Sequence, residues 1–370
     1  MKVKNKYHGK ADITDPETVA DMNRRRFLAL MTGCGVVGLH LSCNPAKKRR
    51  EDSGAAQETP DHDPAIQEAA SIDTVPVVVK LEHPGRTEAD EPLSKGDAIQ
   101  KVSALLGSLT PGKDAVGFLS TLFEPGRKIG IKLNCLAGRG LSTHPELVFA
   151  LIELLVRAGI SAEDIIVFER TEHELKRAGF PIRTQRGGKQ ARFMGNDSQG
   201  AGFENQPVCF ESIGSCFCNI LTREIDVLIN FGVLKDHDLA GVSIGLKNLY
   251  GLIHNPNKYH DQGCAPYVAH VAASPPVREK LKLTICDGLM AQYHGGPALK
   301  KVYTWDAGIL LASKDPVALD TVGVEIIEKK RHKEGLDTLS ESGRYPAWLN
   351  DARRSGLGED RLDRIKVITV

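Results

Sequence analysis

The segment from Lys128 to Phe168 restricts what this chain can fold into more tightly than any other. Ile129, Ile131 and Leu133 alternate with Lys128, Gly130 and Lys132, the two-residue period of a strand. A loop follows at Asn134–Gly140, marked by Gly138 and Gly140. Thr143-His144-Pro145-Glu146 then has the form of a capping box, with Thr143 as cap, Pro145 in the first turn and Glu146 reaching back. Leu147, Leu151, Leu154, Leu155 and Ala158 share one helical face, and Gly159 ends the helix. Ile165–Phe168 supplies the next strand. This is a βαβ unit, whose crossover is expected to be right-handed.

The pattern recurs along the chain. Val77–Val79 reads as a first strand and Ile225–Phe231 as a buried one, followed by the polar loop Lys235-Asp236-His237-Asp238 and a helical stretch to about Tyr250. Leu281, Leu283 and Ile285 alternate into Asp287 at a strand end. Gly308–Ala312 reads as a strand, Asp315-Pro316 as an N-cap with proline at the first helical position, and a helix runs on to about Lys330. Ile365–Val370 adds a final strand. The expected class is therefore α/β: an open, mainly parallel sheet flanked by helices and built from βαβ units. The chain has no internal repeat and no glycine-rich dinucleotide or P-loop fingerprint.

Three regions precede or make up this body. Asn23-Arg24-Arg25-Arg26-Phe27-Leu28 resembles the twin-arginine export consensus, with Arg24 and Arg25 as the pair, and Phe27–Leu41 resembles the apolar region of a removed signal. Leu39-His40-Leu41-Ser42-Cys43 loosely resembles a lipoprotein cleavage site, which makes Cys43 the candidate for acylation, although His40 stands where an aliphatic residue is expected. Residues 44–74 are polar and without apolar period, as in a disordered linker. The expected division is 1–43 signal, 44–74 linker and 75–370 α/β domain, with export to the periplasm and the export machinery as a partner. Membrane attachment is expected only through acylated Cys43, because no apolar run approaches the roughly 18 residues of a spanning helix. Lys+Arg 48 against Asp+Glu 47 leaves a net charge of +1, which gives no argument for a nucleic-acid partner.

In open α/β sheets ligands bind beyond the carboxyl ends of the strands. Lys132, Asn134, Lys235, His237 and Asp287 fall at such ends, with Asp315 slightly beyond its strand. Helix N-termini expected at Thr143, Asp238 and Asp315 would add backbone donors for an anion. The stretch from Lys247 to Cys264 adds Lys247, Asn248, His260 and Cys264. In this reading Lys132, Lys235 and Lys247 hold negative charge, Asn134 and Asn248 orient it, and Asp315 completes the binding set. His237 or His260 moves protons, and Asp287 positions a histidine or coordinates a cation. Each residue also has a plain structural role open to it: Asp315 as a cap, any histidine as a hydrogen-bonded core residue.

Six cysteines lie in the body, and Cys135, Cys264 and Cys286, with His260, form a candidate ligand set for a metal or an iron–sulfur cluster. Disulfides and buried thiols are the competing readings. Cofactor identity is not readable from these residues.

Ile131-Lys132-Leu133-Asn134, Thr143-His144-Pro145-Glu146, Leu234-Lys235-Asp236-His237, Gly245–Gly251, Cys286-Asp287-Gly288 and Ser313–Asp320 occur in the order found in the domain of unknown function 362 family. The resemblance runs from about Val75 to the C-terminus and is closest to an exported, twin-arginine branch. Many relatives carry a ferredoxin-like module; this chain has no C-x-x-C-x-x-C run, so that module's function is not implied. The leading expectation is an exported enzyme, redox-linked in one version, acting on a small anionic substrate. A non-catalytic binding protein for a metal or anionic solute, and a cysteine-ligated iron–sulfur electron carrier, are the alternatives.

Overall fold

The computed structural model describes residues 75–82 and 93–370. Arg24, Arg25, Cys43 and the 44–74 linker lie outside the described residues. The chain enters β1 (Val77–Glu82), whose Val78 and Val79 point to opposite faces and are both buried. Two helices follow, α1 (Lys95–Gly107) and α2 (Ala115–Leu122). Ser94 caps α1 by accepting from Asp97 N, and Asp114 caps α2 by accepting from Gly117 N at 2.7 Å. Then comes the βαβ unit read from the sequence: β2 (Ile129–Lys132), α3 (Pro145–Arg157) and β3 (Ile165–Glu169), with β2 and β3 parallel neighbours.

Helix α4 (Glu172–Ala178) leads to β4 (Arg192–Gly195), and a hairpin of β5 (Val208–Phe210) and β6 (Ile213–Ser215) stands apart as a two-stranded sheet. The central strand β7 (Val227–His237) turns back through β8 (Gly241–Ile244) into a 3₁₀ turn at Leu246–Leu252. Short helices α5 (Tyr267–Ala273) and α6 (Pro275–Arg278) lead into β9 (Leu281–Gln292) and β10 (Thr304–Ser313). The chain closes with α7 (Pro316–Lys333), α8 (Trp348–Arg354) and β11 (Lys366–Thr369).

The main sheet has nine strands in the order β11-β1-β10-β9-β7-β2-β3-β4, with β8 paired to β7. Seven run parallel; β10 opposes β1 and β9, and β8 opposes β7. Both faces are covered. Val79, Ile129, Ile131, Ile165, Val167 and Ile229 pack under α1, α2 and α3, while Val78, Ile166, Phe168 and Leu228 share the opposite core with α5, α7 and α8. The alternation of adjacent residues between the two cores makes this a three-layer α/β sandwich. No helix among the described residues is long and apolar enough to cross a membrane.

Three expectations are corrected. The stretch after Lys235 is no α-helix: β7 continues through His237, and Gly241, at φ +78, turns the chain back. A side chain at Gly241 would collide with the Arg344 carbonyl, so the turn demands glycine on two counts. Asp238 therefore opens no helix. At α3 the cap is His144 with no side-chain cap bond, because Thr143 Oγ1 is occupied elsewhere, donating to Phe231 O and accepting from Asn134 N, each at 3.2 Å. Finally β10 is antiparallel, so Asp315 lies at the edge of the sheet opposite the carboxyl ends of β2, β7 and β9.

Candidate functional site

At the carboxyl edge, β2 and β7 deliver two lysines into very different surroundings. Lys132 is fully buried, and its Nζ donates to Glu169 Oε2 at 2.9 Å, to Leu133 O at 2.7 Å and to Asn248 Oδ1 at 3.5 Å. Glu169, from the end of β3, also accepts the amides of Cys135 and Arg170. This cation is matched by a carboxylate. Gly251 makes room for it, since a Cβ there would stand 2.7 Å from Lys132 Nζ.

Lys235 is also fully buried, but its partner is neutral: Nζ donates to Asn134 Oδ1 at 2.8 Å. Among the described residues no carboxylate lies within ion-pair distance of it. Burial pulls its ammonium down to about 8, outweighing the more distant Glu169 carboxylate that favours the charged form, and the charge on Lys132 adds to the fall. Lys247 repeats the pattern from the 3₁₀ turn. Its Nζ lies 3.8 Å from the Tyr250 ring centre and 3.2 Å from His260 Nε2, and burial again lowers it to about 8.

The histidines divide into two kinds. His237 Nδ1 accepts the amides of Leu239 and Ala240, each at 3.2 Å, which places the ring proton on Nε2. Burial first, then the charge of Lys247 and the neighbouring His260 and Lys235, drives its pKa down to about 2. His237 is thus held neutral and serves as a donor through Nε2, not as a base titrating near pH 7. Its ring stacks on that of His260 with centroids 5.8 Å apart. His260 donates from Nδ1 to Pro256 O at 3.0 Å, leaving Nε2 to accept from Lys247; burial and Lys247 both lower its pKa.

His144 is different. Its Nδ1 and its backbone amide both meet Asp287 Oδ2 at 2.7 Å, and Asp287 Oδ1 accepts from Leu289 N. A buried carboxylate that grips one ring nitrogen of a partly exposed imidazole fixes the ring and orients the other nitrogen. Asn134 joins this pair to Lys235. Its side chain takes the lysine, and its backbone bonds both ways with Thr143, the residue before His144.

The structure therefore brings together Lys132, Asn134, Lys235, His237, Lys247, Asn248, His260 and Asp287. Asp315 does not join them. Its carboxylate accepts from Val317, Ala318 and Glu359 amides at 2.8–3.0 Å, which makes it the cap of α7 and a tie to the C-terminal segment. The proposed metal set does not converge either: among the described residues no group of three or more His, Cys, Asp or Glu is placed to hold an ion. Cys135, Cys264 and Cys286 are buried, each thiol raised chiefly by desolvation.

Sequence reasoning missed Glu169 and His144 as site residues. Glu169 ends a run of four apolar strand residues, the same position that drew attention to Asn134, and that signal was available. His144 was absorbed into the capping box. Asp320 was missed as well: both its oxygens accept at 2.8 Å from the amides of Gly245 and Leu246, fixing the turn that presents Lys247 and Asn248. Asn230 ties the same turn, donating to Gly245 O and accepting from Asn248 Nδ2.

Fold and edge together define the class: an open, mainly parallel α/β sheet with a buried cationic cluster beyond the carboxyl ends of its central strands. The chain belongs to the family described as domain of unknown function (DUF362), whose model matches residues 129–325, more than half of its length. It is similar to a thylakoid-associated protein of Synechocystis, with 27% identity over 247 residues, covering 62% of this chain and 71% of that protein. A crystal structure of a Thermotoga maritima protein matches with a TM-score of 0.34 and 12% identity, over 66% of this chain and 60% of that one.

Proposed function

We propose that the carboxyl edge of the sheet binds a small anion between Lys235 and Lys247, and that the His144–Asp287 pair exchanges a proton with it. One observation carries this reading: two buried ammonium groups, Lys235 and Lys247, have only neutral or aromatic partners, whereas the neighbouring Lys132 has Glu169. A buried unmatched cation is costly, and an anionic ligand is the group that offsets it. Asn134 and the Nε2 donor of His237 supply directional hydrogen bonds to such an anion. His144 supplies the imidazole, its ring held by a buried carboxylate in the arrangement of a general acid–base pair.

Export belongs to the same proposal. The twin-arginine-like segment at Arg24-Arg25 supports a periplasmic location with Cys43 as a candidate tether, and the relative's thylakoid association is in keeping with a protein delivered to or across a membrane. The test is calorimetric titration of the purified protein with inorganic phosphate, oxalate and succinate. Binding of at least one with a 1:1 ratio, lost by a factor of ten or more in both Lys235→Met and Lys247→Met while the fold is kept, supports the reading. Equal affinity in the folded variants, or no binding by any of the three anions, overturns it.

A further inference from the structure

Four of the six cysteines in the described residues are buried, and the remaining two lie on one face of the β5–β6 hairpin. Register and burial place them there. Cys209 is the partner of Gly214 across the hairpin, so the two share a face, and Cys216 lies two residues beyond Gly214 in extended backbone and so returns to it. The burial pattern agrees: Ile213, Ser215 and Phe217 are buried on the inner side, Gly214 and Cys216 are half-buried, and Cys209 is exposed. Position 214 carries no side chain, and Cys209 Sγ lies 3.9 Å from where a Cβ there would stand. No other heavy atom outside the glycine and its two chain neighbours stands within 4 Å of that point.

We propose that Cys209 and Cys216 form a redox-responsive pair that is converted to an intrachain disulfide by exchange with a disulfide reagent, either a small molecule such as oxidised glutathione or a protein disulfide. The chemistry is two successive thiolate attacks. One cysteine thiolate attacks the reagent's disulfide, forming a mixed disulfide and releasing one reagent thiol. The second cysteine thiolate then attacks the protein sulfur of that mixed disulfide and expels the second reagent thiol. The protein loses two protons and two electrons, and the reagent disulfide is reduced to two thiols.

Diagonal neighbours across an antiparallel pair stand about 7–8 Å apart at Cα, beyond the roughly 4.4–6.8 Å that a disulfide spans, so closing the bond requires the two strands to shift. A two-stranded ribbon is less constrained than a strand held in a large sheet, which leaves room for such a shift. The hairpin has only strand β6 as its partner for β5, so this adjustment meets no wider sheet. Bond formation would tighten the hairpin, and the hairpin is tied to the segment that ends at His260. His254 N donates to Cys216 O at 3.1 Å, Cys218 N to Leu252 O at 2.8 Å, and Ser215 Oγ to Asn255 Oδ1 at 2.7 Å. Tyr259 Oη both donates to and accepts from the backbone of Gly214. The oxidation state of the pair is therefore coupled to the loop carrying His260, although the disulfide itself stands independently of any role for that loop.

The full chain is incubated with oxidised glutathione, remaining thiols are alkylated, and the protein is cleaved after glutamate. Cleavage at Glu204, Glu211 and Glu224 puts Cys209 in one fragment and Cys216 with Cys218 in the next. The expected result is a pair of fragments joined by one disulfide and separated by dithiothreitol. The link is expected to be retained in Cys218→Ala and lost in Cys216→Ser, where Cys209 stays as the glutathione adduct. Glutathione on both cysteines without a cross-link, or two unmodified thiols after prolonged oxidation of the folded protein, overturns the proposal. So does a link that survives Cys216→Ser.

Discussion

Replacing Lys235 by methionine sets stability against binding in a way that only an unmatched buried cation allows. The fall of its pKa from 10.5 to about 8 means that the fold holds the charged form at a cost of about 3 kcal/mol at neutral pH. Methionine has a similar length and removes the charge. It also removes the hydrogen bond to Asn134 Oδ1, worth about 1 kcal/mol. The net expectation is a gain of about 2 kcal/mol, seen as a rise in melting temperature of about 3 °C for a domain of this size, together with loss of anion binding. The sign can be checked against pH. The unfolded lysine keeps its proton up to its ordinary pKa of 10.5, while the folded one releases it from about 8. Wild-type stability therefore rises between those values, and the advantage of methionine shrinks across the same window. Lys132→Met is the control. It leaves the Glu169 carboxylate buried without its cation and is expected to cost about 3–5 kcal/mol. Scanning calorimetry of the three proteins at pH 7 and pH 10 decides the matter. A melting temperature several degrees lower in Lys235→Met at pH 7 would refute the argument, because it would show that the fold already compensates this charge.

Three further outcomes follow from the same geometry. Anion affinity is expected to be steady below about pH 8 and to fall above it as Lys235 and Lys247 lose their protons; calorimetric titration from pH 6 to 9.5 checks this, and a flat profile would remove both lysines from the site. His237, lowered to about 2, stays neutral in the fold while the unfolded chain takes up a proton below about 6.5, so stability is lost as pH falls from 6.5 and His237→Gln should lessen that loss in acid-unfolding curves. Asp315→Ala removes the cap of α7 and the tie to Glu359, costing about 1–2 kcal/mol in thermal melts with anion affinity unchanged; a weakened affinity in the folded variant would return Asp315 to the site.

The βαβ unit was legible because strand alternation, loop glycines and a one-faced helix all pointed to the same local structure. What local pattern could not carry was direction and extent. Nothing around Gly308–Ala312 announces that β10 runs against its neighbours, yet that alone moves Asp315 to the far edge. The polar run Lys235-Asp236-His237 resembled a loop because strands are not expected to bury three such residues in succession. Here Asp236 is buried against Arg344 and the amide of Gly296, and Lys235 against Asn134, partners distant in sequence. The four-residue strand β8 is too short for any periodicity to reveal it. The strand ends pointed to Lys132, Asn134, Lys235, His237 and Asp287, while Lys247, Asn248 and His260 were read from the dense polar stretch that follows. The pairing of His144 with Asp287, across 143 positions, was not legible.

The placement of β1 bears on how the chain must be made. Its two partners are residues 309–312 of β10 and 366–369 of β11, so one flank of this strand stays unpaired until β10 has been made and the other until β11 has. Strand edges left open on a nascent chain invite association with other chains. The order of synthesis thus leaves β1 without either neighbour while the whole stretch between β1 and β10 is being made. A translation product that stops short of Lys366 would keep one flank of β1 bare, and its fate would be decided by aggregation or proteolysis before any ligand could matter.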